Sequence, residues 1–341
     1  MHTMPSGGIP PSIGRYTVVD RVGHGAMGDV YAAVDQAIGR RVAIKVLPAH
    51  LAPTPTGQVV HPNLVTVLDR GEDQGRPYIV MELLEGAPLI DHLRRPEMHT
   101  PGSKIDLMLQ ICDGVRAAHD RGVIHGGLRP GHVFVDRHGV VKLLDLGVRL
   151  DDGGSEYAPP EQAQDRSADA RSDIYSAAAV FYFMLTGRSP RLQPVAFAAA
   201  EAPDALGQVL LKALAANPED RHQSVAHLRA EIEQVRRAQE GDRHRVARAA
   251  LDRYRQIEAL IDQRRALGRR LGLEAIEREC EQKSAQLASA FPELARADLE
   301  SGLLDPMAPA RASAAVAQLQ AWHNDLLAEV SVLKAASGGR R

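Results

Sequence analysis

Apolar positions along this chain follow different patterns in different stretches. Between Arg15 and Lys45 they fall in short runs rich in β-branched and aromatic residues, RYTVVDRV, then DVYAAVD, then Val42 to Lys45. These runs predict strand, glycine loop, strand and a further strand. Pro77 to Leu84, PYIVMELL, predicts another apolar strand ending in a polar hinge. From Ile105 to His119 the pattern turns helical. Ile105, Met108, Leu109, Cys112, Val115 and Ala118 recur in the spacing of one buried helix face. Between Val46 and Leu68 neither pattern holds, because Pro48, Pro53, Pro55 and Gly57 interrupt LPAHLAPTPTGQVV and leave no room for a helix of about three turns.

After Val235 strand signals stop and Ala, Arg, Glu, Gln and Leu dominate. Three helices are expected, over about 242–267, 273–295 and 311–334. Their apolar stripes are Val246, Ala250, Tyr254, Ile257 and Ile261; Leu273, Ile276, Cys280, Leu287, Phe291 and Leu294; and Val316, Leu319, Trp322, Leu326, Val330 and Leu333. One stripe apiece means that they pack on each other, on a second copy or on a partner. Gly268, Gly272, Pro292, Pro306 and Pro309 mark the expected breaks.

With 341 residues, 44% hydrophobic and 25% charged, the chain has room for two ordinary globular domains. A net charge of -2 gives no field favouring nucleic acid or anionic lipid. The arginines between Arg236 and Arg270 are interleaved with acids and almost without aromatics, so they read as a solvated helix face. Cys112 and Cys280 lack metal-ligand spacing and fit a reducing compartment. MHTMPSGGIPPS reads as a disordered lead-in without a signal-peptide core, and the longest apolar run, Ala177 to Leu185, is too short to span a bilayer. The expectation is a cytoplasmic protein with no nucleic-acid or membrane partner.

Gly23, Gly25 and Gly28 have the spacing of a phosphate loop, which a dinucleotide-binding fold also uses. Here strand-like residues follow the loop where that fold would start a helix. A glycine loop between strands, with Lys45 closing the next strand, matches the arrangement in which backbone N–H groups and a lysine meet nucleotide phosphates. From Val46 to Leu68 there is no Asp or Glu to hold that lysine, so Lys45 is expected to be unpaired and mobile or bound to solvent.

The stretch VIHGGLRPGHVFVD and the later Asp145-Leu146-Gly147 complete a recognisable series. With the glycine loop, VAIK, HPNLV, VMEL, PPE, SDIYS and NPEDR in that order, residues 13 to 235 resemble bacterial Hanks-type (eukaryotic-like) serine/threonine protein kinases. The resemblance implies an α+β, bilobal protein-kinase-like fold: a small β-rich N-lobe lacking helix C (13–84) and a helical C-lobe (85–235). A lead-in (1–12) precedes it, and an all-α helical module (236–341) follows.

What the resemblance implies for individual residues is mixed. Nucleotide contacts would fall to Gly23, Gly25, Gly28, Val30, Ala43, Lys45, Met81, Glu82, Leu84 and Asp145, with Met81 behind the purine and the backbone from Glu82 to Leu84 at its edge. ATP is the implied cofactor, with at most one magnesium ion, at Asp145. The family's catalytic loop reads His-Arg-Asp-Leu-Lys-Pro-x-Asn, whereas this chain reads HGGLRPGH. Gly127 stands where the proton-accepting Asp would be, and His132 where a metal-binding Asn would be, a poor ligand for a hard ion. Arg129 replaces a lysine without its compact geometry, and Gly126 an arginine. His125 remains, as a packing residue. A His125/His132 metal site lacks a third ligand with convincing spacing. Asp173 is the implied anchor of the loop backbone and Arg221 the partner of Glu161. The link from 148 to 156 is short, with Gly154 at the position of a substrate-facing threonine, and Pro190 to Leu206 is an alanine-rich remnant of a docking helix.

Loss of base, metal ligand, lysine partner and substrate platform together is the pattern of a pseudokinase, acting as a regulatory scaffold through partner binding or self-association of its C-terminal helices. Two alternatives stay open: a weakly active or atypical serine/threonine kinase, and an adaptor that binds no nucleotide.

Overall fold

The computed structural model describes residues 9–25, 28–49, 59–99, 101–147, 155–162, 169–191, 204–292 and 309–338. The chain divides into two compact units, with the boundary between Arg236 and Arg237.

The first unit opens with six antiparallel strands: β1 (Ser12–Ile13), β2 (Tyr16–Gly25), β3 (Gly28–Asp35), β4 (Arg40–Val46), β5 (Val67–Asp73) and β6 (Arg76–Glu82). Their order across the sheet is β1-β2-β3-β4-β6-β5. The alternation of side chains in a strand sorts β4 into two faces. Val42, Ile44 and Val46 join Tyr16, Tyr31, Tyr78 and Val80 in one apolar cluster. Ala43 packs on the other face with Met81 and Ile79, and Val30, Leu84 and Leu144 close around them. The register sets Val30 opposite Lys45, Lys45 opposite Ile79, and Ala43 opposite Met81. Lys45 therefore lies on the face of the sheet that Leu144 approaches. Of the stretch expected to lack a helix, residues 50–58 lie outside the described residues; 47–49 and 59–66 are not helical.

The helical part of this unit begins with β7 (Gly86–Pro88), the one-turn α1 (Leu89–His92) and α2 (Pro101–His119). The hairpin β8 (Val133–Asp136) and β9 (Val141–Leu143) pairs with β7 in a three-stranded sheet. Then come α3 (Ala170–Thr186), α4 (Asp204–Ala213) and α5 (Val225–Leu271). The Asp169 side chain caps α3 by accepting from the Arg171 N–H, and Gly187, at φ 71°, ends it. Ile105, Met108, Ile111, Cys112 and Val115 of α2 share one core with Ile174, Ala178, Phe181 and Tyr182 of α3. Burial of each large side chain contributes about 1.5–3 kcal/mol. The alanine-rich residues 192–203 lie outside those described.

The helix expected to start near residue 242 begins at Val225 instead. No proline interrupts it, and the cost of the interior Gly241, about 1 kcal/mol relative to alanine, is outweighed by cooperative helix growth and burial. Val225, Leu228, Ile232 and Val235 belong to the core of the first unit.

In the second unit the later part of α5 is joined by α6 (Glu274–Ala290) and α7 (Pro309–Gly338). Their stripes pack on one another: Ala250, Tyr254, Ile257 and Ile261 with Cys280, Leu287 and Phe291, and with Leu319 and Leu326. Two expectations need correction. Gly268 is not a break but lies inside α5, where a Cβ would come within 2.8 Å of Ile276 Cγ2, so the missing side chain lets α6 approach. The turn is made by Gly272 at φ 69°, and Leu273, assigned to the apolar stripe, sits on that turn 43% exposed. Leu294 and Pro306 lie outside the described residues. The arginines are paired with acids, among them Arg255 with Glu258, Arg265 with Asp262 and Arg269 with Glu277. Among the described residues no helix is long and apolar enough to cross a membrane.

Candidate functional site: the cleft around Lys45 and Asp145

The hairpin of β8 and β9 fixes both ends of the site. Leu144 N–H donates to the His132 carbonyl and Gly147 N–H to the His125 carbonyl, so the segment after β9 runs back along the loop that precedes β8. Asp145 then takes φ 60°, one of two non-glycine residues with positive φ among those described. Aspartate tolerates this left-handed conformation better than most residues. The turn directs its carboxylate to Lys45 Nζ, which donates to Asp145 Oδ2 at 2.5 Å. The two side chains are 7% and 11% exposed.

Lys45 is thus neither mobile nor bound to solvent, contrary to expectation. Its carboxylate partner comes from a residue 100 positions later instead of from a nearby helix. Burial by itself would raise the Asp145 carboxyl, but the Lys45 ammonium outweighs that and holds it below the usual carboxylate range.

His132 closes the other side. Its Nδ1 lies 2.6 Å from the Gly127 carbonyl, and Arg129 Nε donates to its Nε2 at 3.1 Å. A carbonyl accepts only, so Nδ1 carries the proton, and Nε2 must then be the bare nitrogen that accepts from Arg129. Burial pushes the imidazole down to about 4, against the pull of Asp145 and with help from His125, Arg129 and Lys45. The ring is therefore neutral at pH 7, and its 3.5 Å approach to Asp145 Oδ2 is not an ion pair. His125, stacked on His132 at 5.9 Å between ring centroids, is likewise held neutral by burial and acts in packing.

The glycines play unequal parts. Gly28 is at φ 103°, and a Cβ there would come within 1.8 Å of the Val46 carbonyl oxygen, so close passage of β3 over β4 demands glycine. Gly25 meets nothing within 4 Å, and at Gly23 only Val30 is near. No local contact requires glycine at either, which leaves their backbone open to approach by a ligand. Val30, Ala43, Met81, Leu84 and Leu144 pack in one apolar cluster on the Lys45 face of the sheet, the kind of surface a flat base would need. Glu82 is committed locally: its carboxylate accepts from Lys142 Nζ at 2.8 Å and from Thr66 N–H, and its own N–H donates to the Thr66 carbonyl.

This surface fits a nucleoside polyphosphate, with Lys45 beside the glycine loop for its phosphates. A pair of magnesium ions does not fit. Mg²⁺ seeks hard oxygen ligands in an octahedron. Among the described residues Asp145 is the carboxylate against Lys45 and His132, its Oδ2 is taken by Lys45, and His132 offers a nitrogen already accepting from Arg129. Among the described residues no cluster of three His, Cys, Asp or Glu side chains could hold a metal. At Gly127, the position assigned to a proton acceptor, the group present is a backbone carbonyl bound by His132.

The support beneath the loop is dense. Asp173 on α3 accepts from the N–H groups of His125 (2.7 Å) and Gly126 (2.9 Å), and His119 Nε2 lies 2.8 Å from the same carboxylate. Gly126 is at φ 74°, open to glycine without strain. Arg221 grips Glu161 with two bonds of 2.7 Å, and Ser172 adds a third. Sequence reasoning missed His119, Lys142 and Asn63. The last donates to the Val141 carbonyl and to Gln110, tying β9 to α2. His119 could have been read from its place at the end of α2, one short turn before the loop. Residues 148–154, with Gly154, lie outside those described.

Comparison with known proteins agrees with this fold. The model of the protein kinase domain family matches residues 16–237. Serine/threonine-protein kinase Pkn1 of Myxococcus xanthus is 36% identical over 261 residues, which take in 63% of this chain and 37% of that protein. PknB of Mycolicibacterium smegmatis is 32% identical over 278 residues, 68% of this chain and 44% of its own. This chain thus spans about two-fifths of the length of these curated relatives. The crystal structure of the PknI kinase domain of Mycobacterium tuberculosis superposes with a TM-score of 0.60 at 27% identity, covering 68% of this chain and 99% of that one.

Proposed function

This chain belongs to the protein kinase domain family, and within it we propose a pseudokinase: a serine/threonine-kinase-like domain that binds ATP in the cleft beside Lys45 but does not transfer its phosphate. The observation that carries this reading is the bond from His132 to the Gly127 carbonyl. A side chain that could take a hydroxyl proton is missing at that position, and the backbone there is held by the residue that replaces the metal-binding asparagine. Loss of a positioned base alone costs about 10² to 10⁴ in rate.

The kinase-like shape then serves as a scaffold, with ATP occupancy biasing the domain between conformations. The partner of that scaffold is a protein or a second copy, met through the C-terminal helices, where Leu327 and Val332 of α7 are exposed. A cytoplasmic location fits two free, buried cysteine thiols. Incubating the protein with γ-labelled ATP, with and without a generic protein substrate, tests the proposal. No label transfer is expected, and transfer abolished by Asp145→Ala would overturn it.

A weakly active kinase is the second reading. It is favoured by the Lys45–Asp145 contact, because phosphoryl transfer depends mainly on positioning and electrostatics.

A further inference from the structure

Taking the cleft as a nucleotide site, as proposed above, we infer that it holds the polyphosphate without a divalent cation, using the fixed positive charges of Lys45 and Arg129 where the family's fold would use metal ions. Three features on facing elements lead there. Asp145 is the carboxylate a metal would need, but its Oδ2 is bonded to Lys45, and the two are buried together. The second donor position is His132, whose proton sits on Nδ1 and whose Nε2 accepts from Arg129. A cation at Nε2 would have to displace a guanidinium and take its place beside it. Among the described residues the charges brought together here are two cations, Lys45 and Arg129, one anion, Asp145, and a neutral ring, a net attraction for an anion without a pair of carboxylates to attract Mg²⁺.

The guanidinium and ammonium are also the groups that proteins use to bind phosphate oxygens directly. Lys45 is held to Asp145 at a single carboxylate oxygen, so an arriving phosphate competes with Asp145 for it. Asp145 thus changes from a metal ligand into a competitor of the nucleotide. Free ATP, more negative than its magnesium complex, is the better ligand for such a site.

Calorimetric titration of the full chain with ATP, once in EDTA and once in excess Mg²⁺, tests this on the wild type and on Asp145→Asn, Arg129→Gln and Lys45→Met. Wild type is expected to bind at least as tightly in EDTA as in Mg²⁺. Asp145→Asn, by releasing Lys45, should tighten binding in EDTA by about threefold or more. Arg129→Gln and Lys45→Met should each weaken it about tenfold. Binding that appears only with Mg²⁺ and is lost in Asp145→Asn would overturn the inference while leaving the nucleotide site standing. Absence of binding in both buffers would overturn both. If a thermal melt shows a variant unfolded, the wild-type comparison of EDTA against Mg²⁺ decides alone.

Discussion

The Glu161–Arg221 pair and the Lys45–Asp145 pair each join segments far apart in the chain, and both are buried, yet they are bonded in different ways. Arg221 gives two parallel bonds to Glu161, donates to the carbonyls of Ala215, Ala216 and Arg171, and lies 5.0 Å over the Tyr175 ring. Glu161 takes a further bond from Ser172. Lys45 meets Asp145 at one oxygen, beside a neutral imidazole. In the first pair the guanidinium fork and the carboxylate are saturated by fixed partners, so opening it would strand several polar groups at once. In the second, an ammonium meets one carboxylate oxygen without the fork geometry that a guanidinium gives. The difference lies in geometry: a bidentate fork with fixed neighbours against one ammonium–carboxylate bond.

Arg221→Ala should break the first kind of pair at the greatest cost, about 3–5 kcal/mol, because Glu161 stays buried without its partner. Urea unfolding of the first unit reads this, and a loss below about 1 kcal/mol would erase the distinction between the pairs.

The cleft should reveal itself in acid. His132 has a folded-state pKa of about 4, below its unfolded value, so its contribution to stability is complete above about pH 6.5 and is lost as pH falls toward 4. Over that window it amounts to about 3 kcal/mol. In His132→Asn this part of the loss should vanish, as seen in melting temperature against pH. Burial also lowers His125, so its loss has the same sign, is present in both proteins and drops out of the difference.

A smaller effect is expected for Lys45→Met, about 1–3 kcal/mol at pH 7, because Asp145 loses one bond where Glu161 loses a bidentate pair. The sign of its pH dependence sharpens the comparison. In the wild type the Asp145 carboxyl lies below its usual range, so its stabilisation holds above the unfolded pKa and fades as pH falls through the lower folded value. Without Lys45, burial dominates and raises that carboxyl, so the cost of the mutation should shrink as the solution is acidified. A cost independent of pH would mean that the pair contributes nothing electrostatic.

Least visible should be Gly127→Asp. Placing a carboxylate there is expected to leave phosphotransfer at background in the labelled-ATP assay, because His132 still bonds the Gly127 carbonyl and holds that segment through its backbone. Appearance of activity would show that the missing base was the sole defect.

The strands around the glycine loop, the α2 helix and the apolar stripes of the second unit were legible because each is a local pattern, with period two in strands and near 3.6 in helices, and burial in the structure follows it. Boundaries were less legible. The start of α5 at Val225 and the passage of that helix through Gly268 depend on what the flanking residues pack against, and a glycine can be a break or a point of close approach.

The amino-acid sequence by itself determined the family, the glycine loop, and that Gly127 and His132 stand where the family's pattern has Asp and Asn, because these are matters of residue identity in order. Tertiary structure alone decided the partner of Lys45, the proton position on His132 and the engagement of Arg129. Lys45 and Asp145 are 100 residues apart, and a backbone turn at φ 60° brings them together. The His132 tautomer is set by a carbonyl that only the folded loop presents. Each is a pairing of charge or hydrogen bond across space, and the energy that fixes it exists only after the two lobes have buried the groups concerned.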